Sequence, residues 1–507
     1  MTLRDSFEGM LMFHGTLQLT KQTLTTEGRR LGSHAIRFGL MVILYLALCC
    51  ANRSSWKNAA GLPLFQSQLL ITSFFLSATA VFGFSQTITE EKEEETLGLV
   101  RLTDISPLAI ILGKTVGVLC EALLLVAVQF PFAMIAITLG GISWAQVYAG
   151  YVALLAYLWL LASIGVTMSV CRSTGGSAAR WTAIVVAVYA LPPFLARFST
   201  LSQWKAVCDA FRPISLPVRL WEVTESGFQD SAWGSAVWFG VIAGFLCLLF
   251  SWWRFDSLAM SESAGVLDRS LRGPRRHSRR TWTRPIIWRE YVYSMGGPLW
   301  IIARIGVQFA IFFFVSRAFP RDELGFTCAW SALISGLFGI LDGTWSASRL
   351  FQDEIRSKTW SALVQTPHPL PQIALDKVYG WALGLAPTIV SPFLFIIAML
   401  IFHKHIPREL MVHVELFVGT LTIGLSVFGY LHLLVFLSLY FGWKGTPMTL
   451  TLCFAAGWIY INTVFTSRLG IGARCGLFAL TSVALIAFML ISQRWILRRL
   501  ANLAETA

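Results

Sequence analysis

The sequence predicts an all-α, polytopic membrane protein of about 12 transmembrane helices, built as two parallel six-helix repeats with both termini in the cytoplasm. Three observations carry this expectation. Hydrophobic residues fill 55% of the 507 positions and charged residues 13%, with a mean hydropathy of +0.64, whereas an ordinary soluble domain is charged at about a quarter of its positions. Apolar runs able to cross a hydrocarbon core of about 30 Å, which takes about 20 residues, occur six times in each half. A charged stretch between two of these runs, residues 90–114, returns at residues 353–377.

The recurrence holds one offset throughout. At 263 residues, Glu91 pairs with Glu354, Thr96 with Thr359, Thr103 with Thr366, Ile110 with Ile373, Leu112 with Leu375 and Lys114 with Lys377. The same offset pairs Glu27 with Glu290 and Gly117 with Gly380. A repeat kept in register over such a distance predicts two structurally equivalent halves.

In chain order, residues 1–35 place Phe7, Met10, Leu11, Leu17 and Leu24 at helical spacing, which predicts a helix lying in the membrane interface; a cytoplasmic tail is the plainer alternative. Spans are expected near 36–52, 64–84, 112–137, 144–170, 181–198 and 232–253, completing a first bundle over 1–253. Ser106-Pro107 sets a capping hydroxyl and a fixed φ where the third span should begin. The outer loop 199–231 carries Trp204, Phe211, Trp221 and the Pro213/Pro217 pair, an interfacial aromatic set. Residues 254–285 form an Arg-rich cytoplasmic linker. The second bundle, 286–507, opens on Ile286-Ile287-Trp288-Arg289-Glu290, the counterpart of the segment around Glu27, so Glu27 and Glu290 mark an elbow leading into each bundle. Its spans fall near 299–319, 324–348, 374–402, 412–440, 447–466 and 475–497.

Charge placement sets the orientation. With the N-terminus inside, 27 of the 40 Lys and Arg lie on cytoplasmic segments and 12 on outer ones, and Arg304 falls within a span. The net charge is +13, and nine Arg and no Lys are concentrated between Arg254 and Arg289, where Arg275, Arg276, Arg279 and Arg280 suit anionic membrane lipid; no folded reader of nucleic acid accompanies them, so no nucleic-acid partner is expected. Because each half holds an even number of spans, both keep one orientation, unlike inverted repeats of odd span number.

Little in the chain is catalytic. Gly113-Lys114-Thr115 looks like the end of a phosphate-binding loop, but the first glycine would fall at Leu108 and no strand precedes it. Lys114 then reads as a cation at the membrane boundary. Nine cysteines are scattered, with Cys49, Cys120, Cys247 and Cys453 inside apolar runs, a pattern of small buried side chains rather than disulfides or ligands. His403, His405 and His413 near Glu409 and Glu415 follow no metal-ligand spacing. Glu121 and Asp342 lie within apolar runs, where a lone carboxylate costs roughly 2.5–3.5 kcal/mol to insert. Each is a candidate pathway charge, or a group close enough to the cytoplasmic end to reach water or a neighbouring loop.

An acidic residue, a Thr, an apolar pair, a second Thr and a Lys opening the next helix resembles the cytoplasmic loop between the second and third helices of ATP-binding-cassette type-2 exporter permeases. The wording is partly kept: Thr366-Pro367 follows the family's pattern, while Thr103 precedes Asp104. The resemblance implies that the loops at Glu91, Thr96, Thr103, Lys114 and at Glu354, Thr359, Thr366, Lys377 dock on separate nucleotide-binding ATPase subunits, two copies or a heterodimer, in a bacterial inner membrane. It implies no cofactor in this chain, ATP and Mg residing on the partner. The first loop is strongly acidic and the second carries Arg356 and Lys358, which would favour an asymmetric engine. An ion-coupled carrier using Glu121 and Asp342, or a non-transporting membrane scaffold or membrane-embedded enzyme, stands as the alternative.

Overall fold

The computed structural model describes residues 31–54, 60–94, 96–102, 105–190, 209–271, 282–318, 324–356, 359–402, 410–441 and 471–505, with isolated positions between them. Among these residues it is all-helical, without strands. Among the described residues, eight helices are long and apolar enough to cross a bilayer: Gly61–Glu93, Pro107–Thr138, Trp144–Cys171, Ser235–Ser257, Gly297–Arg317, Leu370–Met399, Leu421–Phe441 and Gly472–Glu505. Phe38, Phe245, Leu299, Phe309 and Ile401 are all more than half exposed. Apolar surface on that scale is at home against lipid, and the chain is a multi-pass membrane protein.

Three further expected spans are helical but less apolar. In Leu31–Ser54 the apolar stretch is confined to Ile36–Cys49. Gly175–Ala190 is short, and Leu324–Arg349 is diluted by Ser331, Ser335, Asp342 and Thr344. Apart from isolated positions, the expected span at 447–466, His403 and His405, most of residues 1–30 and residues 272–281 of the linker lie outside the described residues, while residues 254–271 of the linker continue the helix Ser235–Leu271.

The chain divides into two compact units, residues 1–197 with 203–274, and residues 198–202 with 275–507. The first contains α1 (Leu31–Ser54), α2 (Gly61–Phe82), the short α3 (Thr89–Glu93) and α4 (Leu97–Arg101), α5 (Pro107–Val128), α6 (Phe130–Thr138), α7 (Trp144–Cys171), α8 (Gly175–Ala190), α9 (Leu216–Glu222) and α10 (Ser235–Leu271). Local chemistry sets several boundaries. Ser106 accepts the Ala109 N–H at 3.3 Å with Pro107 in the first turn, and Ser143 and Gln146 form a reciprocal capping box at the start of α7. Pro131 cannot donate a helical hydrogen bond, and the third span breaks at Gln129 into α5 and α6. Buried Gln68 meets this break, donating to the Gln129 carbonyl at 3.1 Å. The middle of the unit is α7, packed on α2, α8 and α10. Trp159 donates to the Val241 carbonyl (3.2 Å), Thr167 and Ser251 share a hydrogen bond (2.9 Å), and Ser77 meets Tyr157 at 2.8 Å.

The second unit contains α11 (Pro285–Arg289), a π-helical turn (Glu290–Ser294), α12 (Gly297–Ala318), α13 (Leu324–Arg349), the short α14 (Gln352–Arg356) and α15 (Trp360–Val364), α16 (Leu370–Phe402), α17 (Leu410–Phe441) and α18 (Ile471–Glu505). Gly296 and Gly297 have φ of 80° and 65°, a left-handed turn that redirects the chain from the π turn into α12. Pro387 and Pro392 lie inside α16. Pro392 frees the Thr388 carbonyl from its helical bond, and a Cβ on Gly339 of α13 would sit 2.8 Å from that oxygen, so the glycine permits the tight α13–α16 contact. Thr422 ties α17 to α18 through the Phe478 carbonyl (3.2 Å) and Ser482 (3.0 Å).

The element boundaries of the two charged loops coincide at the sequence offset. The starts of α3, α4 and α5 at Thr89, Leu97 and Pro107 and those of α14, α15 and α16 at Gln352, Trp360 and Leu370 are each 263 positions apart.

Candidate functional site

Each loop is a corner in which a short helix is closed by its own glutamate. In the first unit the Thr96 N–H returns to the Glu91 carbonyl at 3.0 Å, and the Thr96 hydroxyl donates to Glu91 Oε2. Lys114, from the second turn of α5, donates to Glu91 Oε1. In the second unit the Thr359 N–H returns to the Glu354 carbonyl at 3.0 Å, the Thr359 hydroxyl donates to Glu354 Oε2, and Lys377 of α16 approaches Glu354 Oε1 at 3.5 Å. The backbone closure, the acceptor oxygens and the lysine agree between the two corners. A side chain held by a hydroxyl on one oxygen and an ammonium on the other has its rotamer fixed, so the loop moves with the helix carrying the lysine.

The surroundings differ. Lys114 and Glu91 side chains are 23% and 15% exposed, against 2% for Lys377 and 6% for Glu354. The buried corner draws on the elbow: Lys377 also donates to Glu290, Arg289 lies 2.8 Å from Glu354, and Arg284 lies 3.3 Å from Asp376. Elbow cations and an anion thus alternate with those on the first turns of α16. Burial alone would raise the Glu354 pKa, but the Thr359 hydrogen bond and the Lys377 and Arg289 charges outweigh it and hold the carboxyl below its usual range. A Cβ on Gly380 would lie 2.6 Å from Glu290 Cβ and from the Ile287 carbonyl, so glycine is what lets the elbow lie flat on α16.

Each corner is also seated on its own bundle. Lys92 donates to the Val170 and Arg172 carbonyls (2.7 and 2.9 Å) at the C-terminal end of α7, and Glu93 accepts the Gly175 N–H (2.7 Å) opening α8. Both placements suit the helix dipoles. In the second unit the seat is α18: Trp360, 2% exposed, donates to the Leu500 carbonyl at 3.2 Å and packs with Phe351, Ile496 and Leu500.

The remaining expected residues fall elsewhere. Thr366 donates to its own Leu363 carbonyl (2.7 Å) and joins no network, while Glu27 and Thr103 lie outside the described residues. Glu121 accepts a hydrogen bond from Ser33 of α1. Asp342 forms a two-point ion pair with Arg304 of α12, at 2.7 and 3.2 Å, and the same guanidinium donates to the Met295 and Gly384 carbonyls at 3.3 Å. Arg304 therefore joins α12, α13 and α16, and Asp342 is not a lone intramembrane carboxylate. The sequence reading missed Arg289, Trp360, Arg304 as a partner and the Lys92 and Glu93 seat. Arg289 meets Glu354 while Asp376 meets Arg284, so the adjacent pairs Arg289-Glu290 and Asp376-Lys377 carry no signal for Arg289. Among the described residues no group of three or more His, Cys, Asp or Glu is placed to hold a metal ion. In comparisons with known proteins, the chain matches no family model and no curated protein.

Proposed function

We propose that this chain is the membrane subunit of an ATP-binding-cassette exporter, two six-helix halves of the same orientation fused in one polypeptide with both termini cytoplasmic. The loops at Glu91 and Glu354 dock on separate ATPase subunits, and nucleotide-driven closure of those subunits is passed through Lys114 and Lys377 into α5 and α16. ATP and Mg belong to the partner. The observation that carries this reading is the corner built twice from Glu, Thr and Lys at one register, each locked to the helix that follows it. A charged loop of no mechanical role has no reason to repeat its acceptor oxygens.

The ion-coupled alternative needs a carboxylate free to take up and release a proton. Asp342 instead forms a two-point pair with Arg304 that ties α13 to α12, a structural role. The test is co-expression with soluble host ATPases that bear a complete phosphate-binding loop, followed by reconstitution in proteoliposomes. The complex should hydrolyse ATP faster than the ATPase alone, and Glu91→Gln combined with Glu354→Gln should lose that stimulation while the complex still forms. An ATPase rate indifferent to the presence of the chain would contradict the proposal.

A further inference from the structure

The two corners share an internal frame but not an outer face. Leu99 and Leu102 are 64% and 79% exposed, while Leu97 on the other side of α4 is 5% exposed and turned into the bundle. A Cβ placed on Gly98 meets nothing within 4 Å, so the surface beside the leucines is open. At the same offset the second loop has Ala362 and Gln365, both exposed. Charge divides the loops in the same way. Residues 90–95 hold five glutamates and one lysine, a net of −4, whereas 353–358 hold two acids, Arg356 and Lys358, a net of zero.

From this difference we infer that the first loop is the principal attachment point of the partner: Leu99 and Leu102 enter an apolar pocket with a basic rim on the soluble ATPase. The second loop transmits motion through a flat contact that adds little affinity. Exposed leucines three residues apart supply the buried apolar area, and the acidic run beside them supplies steering toward a basic surface and a salt-dependent association rate. The same acidic run argues against insertion into lipid, because the cytoplasmic leaflet is itself negatively charged. The unequal burial of the lysines fits this division: Lys377 is locked among Glu290, Glu354 and the elbow, as a strut requires, while Lys114 sits nearer the surface. This inference rests on the permease reading and adds to it which loop binds, and by what chemistry.

The experiment uses the full-length chain in nanodiscs, with each purified host ATPase bearing a complete phosphate-binding loop as probe. Leu99→Ala with Leu102→Ala, and separately Gly98→Trp, should weaken binding at least about tenfold, equivalent to about 1.4 kcal/mol. Ala362→Trp should change it by less than about twofold, equivalent to about 0.4 kcal/mol. All substituted side chains are exposed or face open space, so size-exclusion profiles should match wild type. If an ATPase binds but the leucine variant binds equally well, or both loops matter equally, the inference is overturned and the permease reading stands. If no ATPase binds the wild-type chain, both are overturned. A nitroxide at Leu99→Cys relaxed by oxygen rather than by an aqueous nickel complex would place the leucines in lipid and also overturn the inference.

Discussion

At Lys377 two carboxylates converge on one buried ammonium, and removing it leaves Glu290 and Glu354, 5% and 6% exposed, with one cation fewer. Breaking a buried pair from one side costs about 3–5 kcal/mol, because an uncompensated charge remains in low dielectric. Lys377→Met should therefore lower the unfolding temperature of the detergent-solubilised chain far more than Lys114→Met, whose pair is partly hydrated and is worth about 1–3 kcal/mol. The pH dependence has a definite sign. Glu354 has a depressed pKa in the folded chain, so its contribution is fully present above the ordinary carboxylate value of 4.5 and is lost as pH falls through the lower folded value. Thermal unfolding followed from pH 7 to pH 3 should show this loss in wild type, and Glu354→Gln should remove that part of the dependence. The three polar repeats inside the described corners, Glu91/Glu354, Thr96/Thr359 and Lys114/Lys377, were legible as identities at one offset. What the sequence could not supply was the second partner of Lys377, since the elbow is 87 residues away and carries no local signal pointing to α16. Gly117 and Gly380 illustrate the same limit: the identity was visible, and its reason, the elbow lying within contact of Gly380, required coordinates.

Among the helices, α15 is held by α18 through Trp360 and Leu500, whereas α4 has the smaller Leu97 at the equivalent place and it is the preceding α3 that the α7–α8 connection seats. Trp360→Phe keeps most of the apolar volume but leaves the Leu500 carbonyl without its donor, a cost of about 1–3 kcal/mol for a buried acceptor. Amide hydrogen exchange should then rise together in 352–364 and in the last turns of α18, with residues 89–101 unchanged. A rise confined to α15 alone would show that α18 does not seat the loop. Helix positions were readable from hydropathy, and Ser106-Pro107 marked the start of α5 correctly because cap chemistry is local. The break at Gln129 and the unbroken course of α16 through Pro387 and Pro392 were not readable. A proline alone does not say whether neighbouring helices will satisfy the carbonyl it frees.

At the scale of the molecule, eight helices among the described residues meet the length and hydropathy of a membrane span, and in Leu324–Arg349, which falls short, Ser335 and Asp342 serve interhelical contacts rather than lipid. Polar groups inside a bundle lower a helix's hydropathy while satisfying one another. The account depends on both charged corners facing one side of the membrane, where a single soluble engine can reach them. The most direct measurement replaces the nine native cysteines and introduces one at Glu94 or at Gln365. Labelling with a membrane-impermeant maleimide is then compared between intact cells and inverted vesicles. Both positions should react in inverted vesicles and be protected in intact cells; reaction of the two from opposite sides would contradict the account.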